Sequence, residues 1–335
     1  MASTRKNRSK DTAPRKIRVG IVGGAGYTAG ELLRLLVFHP GVEIVFVHSE
    51  SNAGNKLYEV HSGMVGDTEL RFCSSFNLDD IDLLFLCSAH GKSREFWDAN
   101  RRPEKLKVID LAQDFRDESE GYVYGLPELQ RDRIRKASLL ANPGCFATAI
   151  QLALLPLADA GLLGTEINVT AITGSTGAGV KPGPSTHFSW RNDNISVYKV
   201  FEHQHLKEIR RDLELLQGSP VGDINFVPMR GDFSRGIFAS VHCDFPLGQQ
   251  DALELYKGYY SDAAFTHVVE RPVDLKDVVN TNKCLLSVEK HSGKLVISSV
   301  IDNLLKGASG QAVQNMNLMF GLDEKLGLNL KASAF

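Results

Sequence analysis

The run Ile17-Arg18-Val19-Gly20-Ile21-Val22-Gly23-Gly24-Ala25-Gly26-Tyr27-Thr28-Ala29-Gly30 decides the fold of the first part of this chain of 335 residues. It starts as a short apolar strand, turns through glycines and continues as a helix with leucines at helical spacing. Such a loop lets the backbone approach a dinucleotide pyrophosphate, which the N–H groups at the helix start can bind. Because the spacing is Gly-x-x-Gly-x-x-Ala and not the full Gly-x-Gly-x-x-Gly, the loop alone is a weak indication.

The pattern of apolar residues along the chain predicts two kinds of sheet. Short apolar strands at 42–47, 81–87 and 107–111 alternate with helices, which is typical of a doubly wound parallel sheet. Beyond residue 145 the predicted strands are longer and alternate in polarity (167–173, 237–245, 283–290 and 295–301), which indicates a mixed or antiparallel sheet. Helices are predicted over 148–160, kinked at Pro156, and over 303–320. The fold class is therefore α/β, with a Rossmann-type domain followed by a domain that has a mixed sheet.

Composition excludes several classes of partner. The chain has 38 Lys and Arg against 40 Asp and Glu, so nothing indicates a nucleic-acid or membrane partner. No apolar run approaches the roughly 18 residues of a membrane helix. Five scattered cysteines without a C-x-x-C pair or a secretory leader favour a reducing cytoplasm. Residues 1–16 are basic and lack an apolar face, so we expect a disordered arm, with a transit peptide as the less favoured alternative.

Cys145 follows Asn142-Pro143-Gly144, between an apolar stretch and a helical pattern. At the start of a helix, free N–H groups and the helix dipole favour a thiolate. A thiolate beside a dinucleotide can form a thioester that is then reduced. The alternative is that Cys145 is a small buried hydrophobic residue.

Two histidines, His203 and His205, lie two residues apart at the start of a predicted helix. A metal site would need a third ligand, and the sequence offers none within reach. The two remaining interpretations are a solvated helix start and an acid/base partner for the thiol, since the histidine pKa suits proton exchange near neutral pH.

Further candidates would bind anions. The loop 174–179 (Gly-Ser-Thr-Gly-Ala-Gly) follows a strand, and its N–H groups either hold an oxyanion or form a plain turn. Arg116 and Arg235 lie in turn-like segments, where an arginine is either solvated or grips a carboxylate or phosphate. After the second strand, Glu50 would favour NAD, whereas Ser49, Ser51 and Lys56 would suit the 2′-phosphate of NADP, and the residues leave both open.

Together and in this order, these motifs resemble those of the N-acetyl-gamma-glutamyl-phosphate reductases of arginine biosynthesis. The resemblance covers nearly the whole chain after residue 16. It rests on the runs 20–28, 124–129, 142–145, 174–179, 203–205 with Glu208, 234–237 and 302–308. Two departures stand out. The family's Gly-Ala is Ala29-Gly30 here, and the family's His-Arg-His is His203-Gln204-His205, which removes one positive charge.

The resemblance implies a Rossmann domain over 17–144 completed by residues 303–335, and an α+β catalytic and dimerisation domain over 145–302. It implies a homo-oligomer (dimer or tetramer) that binds NADP(H) and a small acyl phosphate, with Cys145 as nucleophile and His203 as acid/base. The implied substrate-binding residues are Arg116, Asn142, His205, Glu208 and Arg235. The implied cofactor-binding residues are Gly23, Gly26, Tyr27, Thr28, Ser49, Ser51, Ser175, Gly177 and Gly179.

The expected reaction is the NADPH-dependent reduction of N-acetyl-gamma-glutamyl phosphate to the 5-semialdehyde and phosphate through a thioester on Cys145. Three alternatives remain at this point. The substrate amine can carry a succinyl group or a carrier-protein amide. The enzyme can be an aspartate-semialdehyde dehydrogenase. The chain can also be a non-catalytic dinucleotide sensor, although a sensor would need neither Cys145 nor His203.

Overall fold

The computed structural model describes residues 15–89 and 91–333. The predicted disordered arm therefore lies outside the described residues, except for its last two. One of these, Arg15, forms an exposed ion pair with Asp82 at 2.8 Å.

The first sheet is parallel throughout. Its strands are β1 (Ile17–Val22), β2 (Val42–His48), β3 (Phe72–Cys73), β4 (Leu83–Leu86), β5 (Lys107–Asp110), β6 (Val123–Tyr124) and β7 (Leu139–Ala141). They lie in the order β3-β2-β1-β4-β5-β7-β6. From β1 the chain first adds β2 and β3 on one side, and then adds β4 and the later strands on the other side. A crevice opens between β1 and β4 at the carboxyl ends of the strands, where such sheets bind ligands. The loop after β1 lies at this crevice.

Four helices accompany this sheet: α1 (Tyr27–Leu36), α2 (Leu57–Val60), α3 (Lys92–Ala99) and α4 (Pro127–Lys136). The leucine stripe of α1 is buried, with Leu32 and Leu33 packed in one core with Val19 and Ile21 of β1. Burying each such side chain contributes about 1.5–3 kcal/mol. This packing holds the start of α1, and with it the glycine loop, in a fixed position.

The second sheet is mixed. Its strands are β8 (Ile167–Thr173), β9 (Ser196–Val197), β10 (Ile224–Arg230), β11 (Ile237–Asp244), β12 (Thr266–Val269), β13 (Cys284–His291) and β14 (Lys294–Ile301), in the order β12-β13-β14-β11-β8-β10-β9. The pairs β8/β10 and β12/β13 are parallel and the others antiparallel. The predicted α/β class, with one parallel and one mixed sheet, is thus confirmed.

Helices cover one face of the mixed sheet. They are α5 (Cys145–Asp159), α7 (Leu206–Gln217) and α8 (Gln249–Tyr259), while the short α6 (Phe188–Arg191) belongs to the connection between β8 and β9. We predicted α5 from residue 148 with a kink at Pro156. It begins at Cys145 and runs through Pro156 to Asp159. Its apolar residues are buried on all sides, because α5 packs against β11 and β14 of the sheet and also against α7 and α8.

The C-terminal segment returns to the first sheet. We predicted a single helix over 303–320, whereas a π-helix at Leu305–Ser309 precedes α9 (Gly310–Met319). All residues of α9 are buried, and Val313 and Met316 join the core of the first sheet. Within the described residues, no helix has both the length and the apolarity needed to cross a bilayer.

Candidate active site

Cys145 is the first residue of α5, directly after β7 and the loop 142–144. Its thiol is half-buried. The π-helix packs onto it, since a Cβ added at Gly307 would lie 2.9 Å from the Cβ of Cys145. On the other side, a Cβ at Gly144 would overlap the ring of His205. Both glycines are thus needed for the close packing around the cysteine.

Burial dominates the acidity of the Cys145 thiol. It raises the pKa to about 11, although the Arg116 guanidinium and the N–H of Phe146 at the helix start act in the opposite direction. The sequence analysis predicted that the helix start would favour the thiolate. That stabilisation is present, but desolvation outweighs it, so the thiol is protonated at neutral pH in the free protein.

His203 and His205 are both buried beside the cysteine, so the prediction of a solvated helix start is wrong. The His203 ring lies 5.4 Å from the ring of Phe146, the residue after Cys145. Its Nδ1 accepts the N–H of His205 at 3.2 Å, which leaves the proton of the neutral ring on Nε2. Burial, with Lys199 and Arg230, lowers the pKa of His203 to about 4, so the ring is neutral at pH 7.

Glu208, on the first turn of α7, connects the histidine segment to the cysteine loop. Its carboxylate accepts hydrogen bonds from the Tyr124 hydroxyl at 2.6 Å, the Gly144 N–H at 3.1 Å and Arg116 Nη1 at 3.1 Å. It also lies 3.9 Å from Nε2 of His205. Since Glu208 is buried and holds the residue before Cys145, its geometry is that of a positioning residue.

Arg116 and Asn142 are committed to internal hydrogen bonds. Arg116 donates from Nε to the Asn142 carbonyl at 2.9 Å and from Nη2 to the Leu111 carbonyl at 3.2 Å, besides its bond to Glu208. The Asn142 side chain donates to the Ala308 carbonyl at 3.0 Å and accepts from Asn315 at 3.2 Å. These contacts fix the cysteine loop against the C-terminal segment, and substrate binding by either residue stays a prediction.

Arg235 is also held internally. Two of its nitrogens bind the Asp302 carboxylate at 3.0 and 3.1 Å, and Nη1 binds Glu31 of α1 at 2.8 Å. An anionic substrate would have to compete with two carboxylates. Through these ion pairs, Arg235 links α1 to the end of β14. Its contact with substrate stays a prediction.

The glycine loop after β1 fits a dinucleotide. Gly23 has a φ of +82°, and a Cβ there would lie 2.7 Å from the Cys87 carbonyl oxygen, so glycine is required. A Cβ at Gly26 would meet nothing within 4 Å, which leaves open space before the first turn of α1. The first N–H groups of a helix have no partner within it and can bind phosphate. Tyr27 is exposed at this helix start.

The other predicted cofactor residues lie on two loops. The N–H groups of Ser175 and Thr176 bind the carbonyls of Phe233 and Ser234. Of the two interpretations left open for this loop, an oxyanion site and a plain turn, these two N–H groups fit the turn. Thr176 accepts from Asn303 at 3.0 Å, and Ser309 donates to the Thr28 carbonyl at 2.7 Å, so this loop is linked through the C-terminal segment to the start of α1. Gly177 and Gly179 belong to the same loop.

At the end of β2, the Ser49 and Ser51 hydroxyls accept hydrogen bonds from Asn52 at 3.3 and 3.0 Å. Glu50 is exposed, as an NADP site would require. Lys56 is paired with Glu69 at 2.8 Å and so offers less free charge than the sequence analysis assumed.

The sequence did not point to Tyr198 or Arg230, and it gave Lys306 and Gly307, which lie in the recognised run 302–308, no role of their own. No local pattern marked Tyr198 or Arg230.

A cleft of about 450 Å³ beside Arg116 and Glu208 is lined by further cations, Arg94, Lys207 and Arg211. Across residues 15–89 and 91–333, no three His, Cys, Asp or Glu side chains are arranged to hold a metal.

Comparison with known proteins agrees with this geometry. Models of the semialdehyde dehydrogenase NAD binding domain and of the semialdehyde dehydrogenase dimerisation domain match residues 18–137 and 145–303. An N-acetyl-gamma-glutamyl-phosphate reductase of Azobacteroides pseudotrichonymphae is 59% identical over 95% of this chain and 100% of its own. The enzyme of that name from Bacteroides thetaiotaomicron is 56% identical with the same coverage.

Solved structures share the fold. Aspartate semialdehyde dehydrogenase II of Vibrio cholerae superposes with a TM-score of 0.73 at 19% identity, covering 92% of this chain and 99% of its own. The Candida albicans aspartate semialdehyde dehydrogenase with NADP gives 0.66 at 15% identity, covering 91% and 98%. The two reductases named above are 56–59% identical to this chain over their whole length, and the chain has a cysteine at the start of α5 beside two buried histidines. The chain therefore belongs to the N-acetyl-gamma-glutamyl-phosphate reductase family.

Proposed function

We propose that this protein reduces N-acetyl-gamma-glutamyl phosphate to N-acetylglutamate 5-semialdehyde and phosphate, with NADPH, in arginine biosynthesis. The observation that carries the proposal is Cys145 at the start of α5, with Gly144 against His205 and Phe146 against His203. Relatives at 56–59% identity bear the name of this activity.

The cofactor in this proposal is NADP(H), bound at the carboxyl ends of β1, β2 and β4. The open space at Gly26 and the start of α1 suit a pyrophosphate, and the exposed position of Glu50 keeps a carboxylate away from a 2′-phosphate. When bound, NADPH supplies the hydride that reduces the thioester. In this proposal, the domain formed by residues 17–144 and 303–335 binds the cofactor, and the domain formed by residues 145–302 carries the catalytic groups.

In the proposed mechanism, the Cys145 thiol gives up its proton as the sulfur attacks the acyl phosphate carbon. The departing phosphate takes up one proton, and one difficult displacement becomes two easier steps. Arg116 and the Phe146 N–H stabilise the thiolate that attacks. Glu208 holds Gly144, and with it the backbone that aims the sulfur. His203 carries a proton on Nε2, and this N–H can donate a hydrogen bond to the oxygen of a tetrahedral intermediate on Cys145.

The alternatives are less well supported. Aspartate semialdehyde dehydrogenases are similar at 14–20% identity, which reflects the shared fold alone. A dinucleotide sensor would need neither the cysteine nor the two histidines packed around it. A substrate with a succinyl or carrier-protein cap uses the same chemistry, and an assay of the three capped acyl phosphates distinguishes them.

We also propose that the protein is a cytoplasmic homo-oligomer, a dimer or a tetramer. The second family model is that of a dimerisation domain. Several large apolar side chains on the connection between β8 and α7 are exposed in the single chain: Phe188, Trp190, Ile195, Val197, Val200 and Phe201. Contact with a second copy would bury them. Sedimentation of the full chain measures the assembly.

The decisive variant is Cys145→Ser. We expect it to abolish turnover, because an alkoxide is far harder to generate than a thiolate, and to leave NADPH binding intact. Activity is followed by NADPH oxidation and binding by the change in NADPH fluorescence. Cys243→Ser serves as the control, since that cysteine is buried in β11. Full activity of Cys145→Ser would refute the thioester mechanism.

A further inference from the structure

Arg230 ends β10 at the edge of the active site. It pairs in register with Thr173, the last residue of β8, and with Ser196 of β9. Its guanidinium carbon lies 4.7 Å from the centre of the Tyr198 ring, a stacking distance. Neither Arg230 nor Tyr198 belongs to a motif that the sequence marks.

Tyr198 connects Arg230 to the catalytic groups. Its ring lies 5.9 Å from that of His203, and it packs with Cys145 on the same core. Burial raises the pKa of Tyr198 to about 12, with Cys145 adding to the effect and Arg230 opposing it. The charge of Arg230 also contributes to the lowered pKa of His203. The charge of Arg230 therefore lowers the pKa of both rings, Tyr198 and His203, that lie between it and the cysteine loop.

Arg230 differs from the other arginines of the site in its charge balance. Arg116 is paired with Glu208, and Arg235 with Glu31 and Asp302. Among the described residues, no carboxylate lies within 4.0 Å of Arg230. Its Nε is buried without a hydrogen-bond partner, and Nη1 donates to the Ser185 hydroxyl at 3.4 Å. The Tyr198 hydroxyl is a further partner of the guanidinium, and both of these partners are neutral. A guanidinium that is partly desolvated and lacks a counter-ion is set up to receive an anion.

We propose that Arg230 binds the phosphate group of the acyl phosphate, an inference that rests on the proposed function. That phosphate is joined through one oxygen to the carbon that Cys145 attacks, so its subsite must lie close to the cysteine. Tyr198, on whose ring Arg230 stacks, packs on the same core as Cys145.

Arg230 would act in the step that forms the thioester. The sulfur–carbon bond forms and the carbon–oxygen bond to phosphate breaks. Orthophosphate leaves with that electron pair and takes up one proton, which replaces the proton that the Cys145 thiol gives up when its sulfur attacks. The guanidinium stabilises the negative charge as it develops, which is the usual role of arginine in such transfers. In the reverse direction the same contact positions orthophosphate for attack on the thioester.

The test uses the reverse reaction of the full-length enzyme, with NADP, N-acetylglutamate semialdehyde and inorganic phosphate. Arg230→Gln should raise the KM for phosphate about 10- to 150-fold, the equivalent of a lost charged hydrogen bond, and the KM for the semialdehyde less than about threefold. Arg230→Lys keeps the charge and should recover part of the phosphate affinity. Arg135→Gln, on an exposed ion pair with Asp132, should change neither constant.

The outcomes separate the two proposals. An unmodified enzyme without phosphate-dependent turnover would refute the proposed function. An active enzyme in which Arg230→Gln leaves the KM for phosphate unchanged, or raises only that for the semialdehyde, would overturn the role of Arg230. If Arg230→Gln fails to fold, Arg230→Lys decides alone, since the loss of the planar fork should still raise the KM for phosphate severalfold.

Discussion

Two opposing effects act on the pKa of the Cys145 thiol. Burial raises it, Arg116 and the Phe146 N–H lower it, and burial is the larger effect. Because burial raises its pKa to about 11, the thiolate fraction in the free enzyme should rise about tenfold per pH unit from pH 7 to 10. We expect the rate of alkylation by iodoacetamide at Cys145 to rise by the same factor. Mass spectrometry of the Cys145 peptide measures it, with the half-buried Cys73 as an internal comparison. A plateau below pH 9 would mean that the helix start outweighs burial.

Still at the scale of residues, the sequence predicted the side chains that cluster around Cys145 better than it predicted their hydrogen-bond partners. Cys145, His203, His205 and Glu208 were singled out, and the fold brings them together. The partners of Arg235 were not predictable, because Glu31 lies 204 positions away along the chain. For Arg230 the informative feature is a missing counter-ion, and only a structure reveals what a side chain lacks.

At the scale of elements, the π-helix that presses Gly307 onto Cys145 should control the position of the sulfur. Gly307→Ala adds a Cβ 2.9 Å from that of Cys145, so one of the two must move. We expect kcat to fall about 10- to 100-fold, since a shift of about 1 Å can cost that much, while NADPH still binds. Steady-state kinetics and fluorescence measure both.

Gly293→Ala is the control for that variant. Gly293 lies in the hairpin between β13 and β14, where an added Cβ meets nothing within 4 Å. It should retain nearly full kcat. If Gly307→Ala did the same, the π-helix would have no part in positioning the cysteine.

The strands were predictable because their apolar runs are short and bounded by turns, as for β1 over Ile17–Val22. The helix boundaries were less so. The start of α5 was placed three residues late, since Cys145 and Phe146 carry no helical pattern of their own. The π-helix follows from tertiary packing. The N–H of Gly307 binds the Asp302 carbonyl at 2.9 Å and that of Ser309 the Leu304 carbonyl at 2.8 Å, and no local residue preference specifies such bonds.

At the scale of the whole molecule, both sheet types follow from the sequence pattern, but the return of the chain end to the first sheet came only from the resemblance. The return is fixed by a buried ion pair. Lys306 of the π-helix binds Glu128 of α4 at 2.7 Å and Gln314 of α9 at 3.0 Å. Thr266 of β12 donates to the same Glu128 oxygen at 2.8 Å. One polar cluster thus joins elements of both sheets and the C-terminal segment.

Lys306→Met should therefore lower the free energy of unfolding by about 3–5 kcal/mol, because it leaves the Glu128 carboxylate buried and unpaired. The double variant with Glu128→Gln removes that charge and should recover much of the loss. Urea unfolding followed by circular dichroism measures both. Lys257→Met breaks an exposed ion pair with Glu270 and should cost less than about 1 kcal/mol. If Lys306→Met proved no more destabilising than Lys257→Met, the buried pair would not be what holds the chain end to the two sheets.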